Sequence, residues 1–160
     1  IIGMKFLESK LFGIAGVMAY LIQGQMMLGT SIWKGPIGGI MRALCFDPNT
    51  KLKLKSGEFV NMKDVALGDI LENNSEVIAV LRIKANEDEK YYKIYSEKLK
   101  DYIYVTGSHK IENPDTNVFI DVCDYDKAIL SEKTGEVYSC LVTSDHLIPI
   151  GEFIFWDWED

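Results

Sequence analysis

Cysteine and histidine are the side chains best suited to nucleophilic and acid–base work near neutrality, and this 160-residue chain has three of the first and two of the second. Cys45 stands where the character of the sequence changes. Before it the chain is apolar and glycine-rich; after it Leu52 and Leu54 alternate with Lys51, Lys53 and Lys55, the period of a half-buried strand. A thiol on the first residue of a domain, just after a peptide bond to a different kind of segment, points to chemistry on that bond. Attack of the Cys45 sulfur on the carbonyl of Leu44 would exchange a peptide bond for a thioester. That exchange is uphill, so a site must distort the amide, give a proton to the leaving nitrogen and hold the oxyanion. His109 can supply the proton, and Thr106, three residues earlier across Gly107-Ser108, can turn its hydroxyl into the same cleft. Alone, His109 reads as a turn histidine bonded to backbone; beside Cys45 and Thr106 it reads as catalytic. His146, the other histidine, follows Asp145, which can fix its tautomer. Its plainer alternative is a histidine at a strand start facing solvent.

The remaining cysteines, Cys123 and Cys140, fall in strand patterns and read as small buried hydrophobes. Three cysteines make no disulfide framework, and no Cys-x-x-Cys spacing suggests zinc, so no metal and no cofactor is expected. Free thiols in a reducing, cytoplasmic compartment are the plain reading, which a reactive Cys45 would also need. Charge is unevenly placed. Residues 1–44 carry +3, which leaves −10 for the rest of a chain whose net charge is −7. An acidic domain without a basic patch argues against nucleic-acid binding.

Several elements must position these residues. Residues 11–33 contain no charged side chain and are bracketed by Lys10 and Lys34, a span long enough to cross a bilayer as a helix. The expectation is therefore a membrane-spanning segment, with a buried or interfacial helix as the alternative. Gly35-Pro36-Ile37-Gly38-Gly39 breaks any helix and makes a joint ahead of Leu44–Cys45. The domains expected are thus 1–44, a hydrophobic segment with its linker, and 45–160, a β-domain. Beyond Cys45 the pattern predicts strands over 51–55, 58–62, 77–83, 91–95, 102–106, 118–122, 137–143, 147–150 and 153–156, separated by turn signals. Short strands at such intervals argue an all-β sandwich or closed sheet.

Three stretches together resemble a known family. Cys45, Thr50, Gly57 and the run from Met62 to Ile70 are similar to the opening block of a Hint domain, the self-processing module shared by inteins and hedgehog C-terminal regions. Val105-Thr106-Gly107-Ser108-His109 resembles the family's Thr-x-x-His block, and Val137-Tyr138 through His146 to Ile150 resembles its late block. The resemblance covers residues 45–160. It implies a horseshoe-like β fold of two pseudo-symmetric lobes, here with an N-terminal hydrophobic helix, and catalytic roles for Cys45, Thr106, His109 and His146. It implies that Thr106 and His109 act on the amide before Cys45, and that His146 assists later steps.

The chain also departs from the family. A splicing intein ends in His-Asn before Cys, Ser or Thr, whereas here Trp156-Asp157 occupies roughly that place. Complete splicing is not expected; hedgehog-like autocleavage is, with the thioester resolved by water, a thiol or another external nucleophile. The substrate is then the chain's own N-terminal segment, and the β-domain is membrane-associated through residues 11–33. A cysteine hydrolase acting on other chains and an inactive membrane-anchored β-module are the competing readings.

Overall fold

The computed structural model describes the backbone of residues 4–9 and the whole of residues 45–85 and 89–158. The expected span and helix at 11–33, the joint at 35–39 and Leu44 lie outside the described residues. Among those described, no helix is long and apolar enough to cross a membrane.

Strand dominates. In chain order the strands are β1 (Met4–Ser9), β2 (Lys51–Lys53), β3 (Phe59–Asn61), β4 (Val77–Lys84), β5 (Tyr91–Ser96), β6 (Asp101–Thr106), β7 (Lys110–Glu112), β8 (Phe119–Asp121), β9 (Ile129–Leu130), β10 (Val137–Thr143), β11 (Leu147–Ile150) and β12 (Phe153–Trp156). Helical structure among the described residues is limited to single 3₁₀ turns at Met62–Asp64 and Val122–Asp124, so the fold is all-β. β7 and β9 are too short and too polar in their surroundings to show a period of their own, and pairing alone reveals them.

β4, rich in Val and Ile, is hydrogen-bonded on both edges, antiparallel to β1 and to β10. Its near-continuous apolar run is what a strand without a free edge requires. Part of the segment assigned above to a separate N-terminal unit therefore adds a strand to a sheet of the Cys45 domain. The other sheets run β11-β12-β7-β8, β6-β5-β9 and β2-β3.

A motif occurs twice. The turn Asp47–Thr50 leads through β2 and β3 to the first 3₁₀ turn, and Thr106–His109 leads through β7 and β8 to the second. Their backbone hydrogen bonds match: Thr50 N–H to Asp47 O (3.0 Å) answers His109 N–H to Thr106 O (3.1 Å), and Met62 N–H to Thr50 O answers Val122 N–H to His109 O, both 2.7 Å. Met62 and Val122 fill the core from the two 3₁₀ turns. The halves meet at Phe46, whose backbone bridges Val105 of β6 on one side and Ser139 of β10 on the other. Its ring is fully buried and packs edge-on against Phe155 at 5.1 Å.

Candidate active site

Because Cys45 immediately precedes Phe46, its backbone is drawn into the middle of the molecule and is fully buried. Thr106, at the end of β6, faces it. The Thr106 N–H donates to the Cys45 carbonyl at 3.0 Å, and the Thr106 hydroxyl donates to the same carbonyl at 3.3 Å. The Cys45 N–H in turn donates to Thr106 Oγ1 at 3.2 Å. This N–H belongs to the Leu44–Cys45 peptide bond, so one hydroxyl touches the nitrogen that would leave in a cleavage there.

The turn after Thr106 then places His109. Gly107 is required at its first corner: a Cβ there would lie 2.7 Å from the Tyr92 ring. His109 is 1% exposed and sits between aromatic rings, 4.6 Å from Phe46 and 5.7 Å from Phe155 between centroids. Burial lowers its pKa to about 4, an effect that the carbonyls of Trp156 and Cys45 only partly offset. The ring is thus neutral at pH 7. Its Nε2 lies 2.6 Å from the Trp156 carbonyl, which can only accept, so the proton is assigned to Nε2. Nδ1 is left as the unprotonated nitrogen, buried on the side of the Cys45 carbonyl but making no hydrogen bond of ordinary geometry with a described residue.

The sulfur of Cys45 is bonded to that of Cys140 on β10, across a sequence separation of 95. The Cα atoms are 4.6 Å apart, within the ordinary disulfide range. The expectation of three free thiols is corrected here. Counting cysteines could not see the pair, because the Phe46–Ser139 bridge creates the neighbourhood and nothing local announces it. Cys123, expected to be buried, is exposed at the second 3₁₀ turn and lies outside the disulfide. It lies beside Asp121 and Asp124, with ligand atoms within 4.8 Å of one another, but Asp121 is taken by Lys110 at 2.6 Å.

His146 occupies a left-handed backbone position at φ 67° in the turn between β10 and β11. Asp145 does not fix it, contrary to the sequence reading. The Asp145 carboxylate instead accepts from the Ser75 hydroxyl and from the Leu147 N–H, and so holds the turn. The partner of His146 is Asp157, whose carboxylate lies 3.1 Å from Nδ1. Asp157 is fully buried and also accepts from the Thr143 N–H at 2.9 Å. In the hairpin of β11 and β12, Leu147 pairs with Trp156, so His146 and Asp157 are the next residues out. The turn at Gly151 was visible in the sequence, and counting outward from it would have paired them. Trp156 joins the two histidines: its carbonyl accepts from His109 and its indole stacks on His146, 5.2 Å between centroids and 15° between planes.

Cys45, Thr106 and His109 are therefore brought together directly, and His146 is connected to them through Trp156. Comparison with known proteins gives no match, either to a family model or to a curated sequence.

Proposed function

We propose that this chain is a self-processing protein of the Hint type, in which Cys45 cleaves the Leu44–Cys45 peptide bond through a thioester. The observation that carries the reading is the Thr106 hydroxyl spanning the N–H and C=O of Cys45, beside a buried neutral His109. The twice-used motif, joined at Phe46, supports the two pseudo-symmetric lobes of that fold.

The disulfide must open first. A thiol or phosphine reductant supplies two electrons, two protons are taken up, and Cys45 and Cys140 become thiols. His109 Nδ1 accepts the Cys45 proton, and the sulfur attacks the Leu44 carbonyl carbon. The carbon–nitrogen bond breaks as His109 passes the proton to the Cys45 nitrogen, with Thr106 holding that nitrogen in line. The products are a Leu44 thioester and a free Cys45 amine. An external nucleophile then takes the acyl group. Splicing is not favoured, because the Asp157 carboxylate is held by His146 and the Thr143 N–H rather than turned on its own carbonyl. Membrane attachment through residues 11–33 and action in a reducing compartment belong to the same proposal.

The test is the mass of the full-length product after reduction. Wild type yields an N-terminal fragment ending at Leu44, Cys45→Ala yields none, and Cys140→Ser cleaves without reductant. A fragment ending at Leu44 from Cys45→Ala would overturn the assignment.

A further inference from the structure

We infer that Asp157 is the positioning residue of His146, and that the pair forms a second acid–base centre which activates the external acyl acceptor. This deepens the autoprocessing reading and rests on it. The two histidines differ in access. His109 is sealed in the core at 1% exposure, whereas the His146 side chain is 39% exposed against 0% for its Asp157 partner. Of the two rings, only that of His146 is open to solution.

The geometry also sets its protonation. The Asp157 carboxylate accepts from the backbone N–H of Thr143 and faces Nδ1 of His146. A carboxylate opposite Nδ1 draws the imidazole proton there and leaves the lone pair on Nε2. Asp157 cannot swing away without leaving the Thr143 N–H unpaired in a buried place. Stacking on Trp156 fixes the ring plane. The acceptor class is a small hydroxyl compound, water or an alcohol, whose O–H must be activated. Its proton passes to His146 Nε2, its oxygen bonds to the Leu44 carbonyl carbon, and the carbon–sulfur bond breaks. The Cys45 thiolate then recovers the proton from the imidazolium. A strong thiol nucleophile ionises by itself and does not need the pair.

The experiment separates the two routes in the full chain. A phosphine reductant opens the disulfide without attacking the thioester, so cleavage then reports hydrolysis; dithiothreitol reports thiolysis. Asp157→Asn is expected to slow hydrolysis by about 10²-fold or more, as loss of a positioned base does, while thiolysis stays at the wild-type rate. His146→Ala should behave alike, the double variant should be no slower than His146→Ala, and Asp157→Glu should recover part of the loss. Nitrogen-15 shifts of His146 give an independent readout: Nδ1–H in wild type, and Nε2–H in Asp157→Asn, where the amide oxygen keeps the Thr143 N–H and its NH₂ faces Nδ1. Equal loss of both routes in Asp157→Asn would make the residue merely structural, and loss of neither would overturn the inference. Failure of wild type to cleave even with dithiothreitol would instead sink the autoprocessing reading, and the catalytic role with it, while the shifts would still report the pairing.

Discussion

At the scale of single residues, the site is built from groups whose ordinary behaviour has been altered by burial. His109 is kept neutral because a charged ring would lose its hydration among Phe46 and Phe155. In the proposed cleavage a ring held neutral at pH 7 would carry the thiol proton only in passing. The same burial predicts an acid-sensitive fold. Between the ordinary histidine pKa of 6.5 and the folded value of about 4 the unfolded chain binds the extra proton and the native state does not. The contribution of His109 to stability is therefore full above that window and falls as pH drops through it. Denaturant midpoints measured from about pH 7 down to about pH 4.5 should decline in wild type, and the decline should be shallower in His109→Gln. The same slope in both proteins would show that the histidine is not the group responsible.

At the scale of elements, the site exists because one short segment is wedged between two strands. Residues 45–47 hydrogen-bond to β6 through Cys45 and Asp47 and to β10 through Phe46, which fixes Cys45 against Thr106 on one side and Cys140 on the other. Phe46 secures the wedge by filling the centre of the core. Phe46→Ala should cost about 3–5 kcal/mol, read as a fall in the denaturant midpoint, and should slow cleavage even where the chain remains folded. Unchanged stability would mean that the wedge is held by its backbone alone. Much of this scale was legible in the sequence. Alternating Leu52 and Leu54, the aliphatic run of β4 and the late strands β10, β11 and β12 were placed by period and turn signals, because each buries at least one face. β7 and β9 were not, since a two- or three-residue strand shows no period. Cys45, Thr106 and His109 were legible as a group through the resemblance of their blocks to one family, since nothing local joins residues 61 apart in sequence. The Cys140 disulfide and the Asp157 partner of His146 were not, because each depends on pairing between segments that only the fold brings together.

At the scale of the whole molecule, the repeated turn–hairpin–3₁₀ motif explains how Cys45, Thr106 and His109 meet although they lie far apart in sequence. Cys45 just precedes the first turn, Asp47–Thr50, while Thr106 and His109 begin and end the second, and the antiparallel exchange at Cys45–Thr106 and Asp47–Tyr104 brings the turns face to face. The repeat escaped notice in the sequence because the backbone scheme is kept while the side chains are not: Met62 answers Val122, and Thr50 answers His109. The acyl side of the bond leads into the apolar N-terminal segment, so cleavage would part that segment covalently from the acidic β-domain. The central claim is that a thioester forms at Leu44, and trapping that intermediate tests it most directly. Full-length protein is treated with dithiothreitol, and the masses of all products are followed with time. The account predicts an N-terminal fragment ending at Leu44 that carries one dithiothreitol adduct, together with a complementary fragment beginning at a free Cys45. An intact chain after full reduction of the disulfide, or a Leu44 fragment that never carries the adduct, would contradict it.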